Sequence, residues 1–325
     1  MIHRRSLMRV ATAGALAAPL AGLAQTGATP ARIGWISITD PGISLEEFRD
    51  GLRKLGHVGA RELQVDFRLA LRDAQSVSAV VEELLKIPVA LIVTVTVAAP
   101  FVHRAVAGRV PVVFAFSGDP VEAGLVQSLA RPGGNTTGMS FLALDLVGKR
   151  LEVLKEIAPK MRRVAILANP QHAGEKAERR ESLIAAERLG LQAAYVEFNQ
   201  AQGFDAALGN VRQQGCEGLV VFPDVGMLGR AQQIAGFAMK ERMPCISGWA
   251  EFAHAGCLVS YGPNLRDGYH RLAHYADRIL KGAHPSSLPV EQPARVELVV
   301  NLKTARALGV TIANSLLLRA DEVIQ

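Results

Sequence analysis

From Arg32 onward the chain alternates short, β-rich apolar runs with longer stretches whose apolar residues recur every three or four positions. That alternation constrains the fold more than any single motif does. Strands joined through helices run parallel, because only a long crossover returns the chain to the same end of a sheet, and such crossovers are right-handed. Arg32 to Ile38 reads as the first strand. Leu45 to Gly56 follows as a helix, with Leu45, Phe48, Leu52 and Leu55 on one face and Gly56 closing it. Leu63 to Leu69 alternates as a strand, and Val77 to Lys86 is helical. Val89 to Val93 is a continuous apolar run, the pattern of a strand covered on both faces. A short helix at Phe101 to Ala107 and a strand at Val110 to Phe116 complete this first set.

The second half repeats the pattern. Leu146 to Ile157 reads as helix, Arg163 to Ala168 as strand, Glu175 to Gly190 as helix and Gln192 to Phe198 as strand. Asp205 to Gln214 is helical, Gly218 to Phe222 a strand, and Gly229 to Arg242 a helix. Strands at Pro244 to Ser247 and Leu258 to Tyr261 precede a long helix from Leu265 to Lys281. Val296 to Val300 and Leu302 to Leu308 supply a last strand and helix. With 325 residues, against ~150 for a common domain, two such sets imply an α/β protein of two doubly wound parallel-sheet lobes.

The Pro- and Gly-rich stretch Ala130 to Asn135 breaks the two sets, and Thr136 to Phe141 is a plausible crossing strand. A second crossing near Tyr261-Gly262-Pro263 and a third around Pro285 to Pro293 would carry the chain back and forth. The expected lobes are therefore 32–143 with 262–288, and 144–261 with 289–325.

Residues 1–25 read as a cleavable export signal. Arg4, Arg5 and Arg9 form a basic start, Val10 to Ala24 is an acid-free run of small and apolar residues, and Gly22-Leu23-Ala24 offers a cleavage site. The run is too short and too rich in Ala and Gly for a membrane span. Arg4-Arg5-Ser6-Leu7 also resembles a twin-arginine signal, so the export route stays open. No cysteine follows the apolar run, which argues against a lipid anchor. The mature chain is thus expected in the periplasm as a soluble monomer. Without the leader's three arginines, Lys+Arg falls from 36 to 33 against 30 acidic residues, a scattered excess that does not suggest a nucleic-acid partner. Cys216, Cys245 and Cys257 read as buried, inert thiols, with a Cys245–Cys257 bridge as an alternative the sequence does not support.

Catalytic signatures are missing. Gly34-Trp35-Ile36-Ser37 lacks the glycines of a dinucleotide turn. Gly138-Met139-Ser140-Phe141-Leu142 has Leu where a nucleophile elbow requires Gly. His270 and His274 share a helix face, yet with no third ligand nearby they read as a solvated face, and no metal or cofactor is expected.

Polar residues instead collect after the strands, the side where open parallel sheets bind ligands. The first lobe offers Thr39 and Asp40, then Thr94 and Thr96, then Ser117 and Asp119. The second offers Asn169, Asp224, Trp249 and Glu251. Hydroxyls and helix N–H groups suit a carboxylate, Asp or Glu an ammonium, and Trp249 an apolar side chain. Each of these residues is also an ordinary turn or cap residue, so the set carries more weight than its members.

With those residues in view, the chain resembles the ABC-transporter substrate-binding family that includes tryptophan- and tyrosine-binding proteins. The resemblance rests on Phe114-Ala115-Phe116-Ser117-Gly118-Asp119-Pro120-Val121 and Arg131-Pro132-Gly133-Gly134-Asn135-Thr136-Thr137-Gly138. Lys149 to Leu154, Trp249 to Phe252, Ser260-Tyr261-Gly262 and Glu297 to Ala305 extend it over essentially the whole mature chain. It implies a type I periplasmic-binding fold with three crossovers, a ligand cleft, and delivery to a permease and an ATPase. It points to Ser117 and Asp119 from one lobe and Asp224 and Trp249 from the other. The first loop departs from relatives, which more often carry Ser- and Gly-rich residues there, and Asp40 stands where it would alter the ligand. The expected function is capture of a small amino-acid-like ligand without catalysis. The alternatives are a ligand-presenting sensor subunit or an exported enzyme on the same fold.

Overall fold

The computed structural model describes residues 31–59, 62–198 and 201–325; the leader expected at 1–25 lies outside them. Two sheets organise the chain. The first has five parallel strands, β1 (Arg32–Ser37), β2 (Gln64–Leu69), β3 (Val89–Val95), β4 (Val112–Phe116) and β5 (Thr136–Ser140), in the order β2-β1-β3-β4-β5. Strand order reverses between β1 and β3, so the loops after these two strands leave in opposite directions and open a crevice. Helices α1 (Gly42–Lys54), α2 (Ala74–Leu85) and α3 (Ala99–Val106) connect the strands.

The second sheet repeats that order with β6 (Arg163–Ala168), β7 (Gln192–Glu197), β8 (Gly218–Val221), β9 (Cys245–Ser247) and β10 (Val259–Pro263) arranged β7-β6-β8-β9-β10. Its helices are α4 (Asp145–Ile157), α5 (Glu175–Arg188), α6 (Phe204–Gln213), α7 (Val225–Leu228), α8 (Ala231–Lys240) and α9 (Ala250–His254). The helix expected over 229–242 is α8, starting two residues later at Ala231, and the short α7 before it, capped by Asp224, was not expected.

Two further strands extend this sheet, β11 (Val296–Asn301) and β12 (Glu322–Ile324). The sheet is not wholly parallel, since β11 runs antiparallel to β10. The reason is the path of the chain. After β10 it leaves for the first lobe as α10 (Leu265–Leu280), and it re-enters at the same end of the sheet. Short helices α11 (Leu302–Leu308) and α12 (Asn314–Leu317) then lead to β12.

Sheet pairing runs slightly past the expected crossings. Gly262 and Pro263 still pair with β11, and Val290 and Glu291 still bond to Leu129 and Gly138 of the first lobe. The backbone pairs there on both sides, and composition alone does not register it.

Helix α10 ties the tail to the first lobe. Asn264 caps it by accepting from the Asp267 N–H, and Leu265, Tyr269, Leu272, Ala276 and Ile279 form one buried face. It lies against α1 closely enough that a Cβ at Gly51 would fall 2.7 Å from the Ala273 Cβ. One buried apolar cluster runs from Trp35 and Phe48 of the first lobe to Val221, Phe204 and Trp249 of the second. No helix among the described residues is long and apolar enough to cross a membrane.

Candidate functional site

The crevice of the first lobe is lined by threonines. Ser37 ends β1 fully buried, and its hydroxyl accepts from the Thr39 N–H at 3.2 Å. The Thr39 hydroxyl has no hydrogen-bond partner in the chain, and neither do those of Thr94 and Thr96 at the end of β3, although all three oxygens are buried. Thr96 also has φ of 62°, a left-handed backbone that a β-branched residue adopts only under strain. Buried polar atoms are ordinarily paired, so three orphan hydroxyls at one switch point mark a place built for a polar group from elsewhere.

Two residues expected beside them act locally. Asp40 is exposed and accepts from the Gly42 N–H, while exposed Asp119 holds a turn by accepting from Val121 and Glu122. Ser117 is half-buried.

In the second lobe Asn169, at the end of β6, donates to Asp224 at 3.0 Å, and Asp224 caps α7 through the Met227 N–H. His172 sits between two carboxylates. Its Nδ1 is 3.5 Å from Asp224 and its Nε2 3.3 Å from Glu178, in the first turn of α5. Burial alone would lower the His172 pKa, but Glu178 and Asp224 outweigh it and hold the imidazolium up to about 10. Burial likewise raises the Asp224 carboxyl, yet His172, Asn169 and the Met227 N–H together bring it below its usual value. Arg150 is buried nearby, donating to the Tyr261 carbonyl, its guanidinium packed against Gly248. Trp249 is 3% exposed within the core. Glu251 keeps one buried carboxylate oxygen without a partner, and burial pushes its pKa up despite Arg266 at 3.8 Å.

The lobes meet over these loops. A Cβ at Gly174 would lie 2.5 Å from the Ser117 carbonyl oxygen, and one at Gly118 would lie 3.0 Å from Ala173. Arg72, beyond β2, donates to the Gln171 side chain at 2.7 Å and to its carbonyl. Arg266 of α10 reaches Glu251 from the other side. The strand ends of the two sheets therefore face each other with the polar residues between them.

Sequence reasoning missed Arg72, His172 and Glu178. His172 follows Asn169 by three residues and was within reach of the same argument. Arg72 was not, because a charged residue after a partly exposed strand has the pattern of ordinary surface. His270 is engaged differently from the expected solvated face. Its Nε2 lies 2.9 Å from Glu47 and 3.2 Å from Asp50 of α1, whose carboxylates also pair with Arg266, Arg53 and Lys54.

Two Rossmann-like lobes joined by three crossings, with polar strand ends opposed, define a type I periplasmic-binding fold, a class built to enclose small solutes. The chain belongs to the ABC transporter substrate binding protein family, whose model matches residues 41–324. A tyrosine-binding protein of Clostridioides difficile is 22% identical over 262 residues, 80% of this chain and 75% of the relative. Among solved structures, an ABC domain in complex with L-Trp from Streptococcus pneumonia is 23% identical with a TM-score of 0.79, over 91% of this chain and all of the other. A ligand-free, open substrate-binding protein with adhesive properties from Clostridium difficile is 22% identical with a TM-score of 0.64, over 91% and 99%.

Proposed function

We propose that the chain is the exported ligand-capturing subunit of an importer, holding an aromatic amino acid between its lobes for a permease and an ATPase. The observation that carries this reading is the set of orphan hydroxyls on Thr39, Thr94 and Thr96, with Thr96 held in a strained backbone. Hydroxyl donors at the start of a helix suit a carboxylate. The unpartnered oxygen of Glu251 suits the ammonium, and Trp249 would wall the apolar side chain. Asp224, already engaged by His172, Asn169 and Met227, acts chiefly to fix the second lobe's loops.

In this reading the lobes, close to 32–143 with 262–288 and 144–261 with 289–325, swing on their crossings and trap the ligand. The chain performs no chemistry and works in the periplasm as a monomer. The tyrosine-binding relative and the tryptophan-bound domain support the ligand class.

The test is a thermal-shift screen of ligand-free mature protein against the twenty amino acids, small carboxylates, purines and short peptides. A ligand present at 100 times its Kd adds about 2.7 kcal/mol, a clear rise in Tm. Stabilisation by Trp, Tyr or Phe, cut to about half in the Thr94→Val variant at the same ligand concentration, supports the reading. A shift by some other compound alone overturns the aromatic assignment.

A further inference from the structure

We propose that Cys245 and Cys257 are joined by a disulfide in the exported protein, closing the loop that carries Trp249 and Glu251. Their Sγ atoms lie 3.0 Å apart, and each residue is 1% exposed. Two elements fix this approach. Cys245 opens β9 and Cys257 stands two residues before β10, and the strands pair in parallel at Ile246–Val259 and Ser247–Ser260. Neither backbone has to move far for the sulfurs to meet. The third cysteine is poorly placed to compete. Cys216 stands three residues before Leu219, the partner of Cys245 across β8 and β9, roughly 10 Å along the strand.

The segment between the cysteines is one of the second-lobe loops that reach toward the first lobe, through Glu251 to Arg266 of α10. It contains Gly248, against which Arg150 packs, then Trp249, α9 and Glu251. A bond across its base holds Trp249 and Glu251 to one end of the sheet whether or not the lobes are closed.

The chemistry belongs to folding. The neighbouring Cys257 thiol and burial both push the Cys245 pKa well above that of a free thiol, and both sulfurs are buried from solvent oxidants once the chain has folded. While the chain is still open, one cysteine thiolate attacks a disulfide oxidant such as oxidised glutathione and releases one glutathione thiolate. The second cysteine, deprotonated, attacks the cysteine sulfur of the mixed disulfide and releases the other glutathione. Two cysteine thiols are oxidised, one oxidant disulfide is reduced to two thiols, and the two protons pass to the departing thiolates. Packing then shields the bond from reductants.

The experiment counts thiols in the full mature chain. Protein is reduced, unfolded, refolded in a buffer of reduced and oxidised glutathione in which a lone thiol stays free, then denatured and alkylated with iodoacetamide. The expected product carries one adduct, on Cys216, and lacks the mass of two hydrogen atoms until it is reduced, when it takes three. Cleavage after Glu251 then yields two peptides that stay joined until reductant is added. The Cys216→Ser variant is expected to show the same linked peptides and no adduct. Oxidation is also expected to raise Tm by on the order of 5 °C in wild type and not in a Cys245→Ala, Cys257→Ala double variant. Three adducts on refolded wild type, or a linkage through Cys216, overturns the proposal. Because the thiol count uses no ligand, its failure is separate from failure of the ligand assignment.

Discussion

Arg72 of the first lobe donates to the side chain of Gln171 in the second at 2.7 Å, and it feels the charge of Asp224 behind it. From beyond β2 it bridges to the loop carrying Asn169 and His172, so its loss is expected to tell on closure rather than on folding. Arg72→Ala is expected to weaken ligand binding about fivefold, the equivalent of about 1 kcal/mol for an exposed charged contact, and to leave the Tm of ligand-free protein unchanged. Calorimetric titration and melting of the same preparation check this. A large loss of Tm without ligand would place Arg72 in the fold instead.

Thr94→Val separates the needs of the fold from those of the ligand. The hydroxyl is buried without a partner, so an isosteric methyl is expected to stabilise the ligand-free protein by about 1 kcal/mol. The same change is expected to weaken ligand binding about tenfold, since a ligand oxygen would lose its donor. Opposite signs in Tm and affinity are the signature.

The His172 network predicts a pH dependence. The imidazolium is held up to about 10 in the fold against 6.5 when free, so its contribution is complete below about 6.5 and fades as pH rises toward 10. Asp224 is lowered, so its share is present above its free value of 3.8 and is lost as pH falls through its folded pKa. His172→Asn is expected to cost about 3 kcal/mol near pH 5.5, where both contributions are full, and far less near pH 10. Melting curves of both proteins across that range check it, and a constant difference would remove the network from the argument.

Gly268 tests the first crossing. A Cβ there would fall 2.3 Å from the ring of Phe141, which follows β5 where the chain leaves the first lobe. Gly268→Ala is expected to destabilise by about 2 kcal/mol through overpacking. Adding Phe141→Leu is expected to recover part of that loss, read as the Tm of the double variant against each single one.

The sequence carried the fold well because each lobe is a run of βα units, and period and composition register those directly. Strands such as Arg163–Ala168 and helices such as Leu302–Leu308 begin and end where the apolar pattern does. Features that depend on distant pairing were not visible. The antiparallel β10–β11 pair arises from a detour through the other lobe, and β12 is a three-residue edge strand on β11, too short for its pattern to register. At the candidate site, strand-end logic names Thr39, Thr94, Thr96, Asn169 and Glu251 together with Asp40 and Asp119. It did not distinguish Asp40 and Asp119, which hold turns, from Thr94, whose hydroxyl has no partner, because both patterns read alike in one dimension.

The triple passage of the chain also sets the order in which the protein matures. Helix α1 comes early in the chain, but much of the face it buries lies against α10, which begins only at Leu265, after nearly all of the second lobe. Phe48 already packs on Trp35 of β1, but the Gly51 side of α1 has its cover only in Ala273 and His270 of α10. The first lobe is therefore finished from both ends of the sequence, and a chain cut short before Leu265 would keep the strands of that lobe but leave one face of α1 bare.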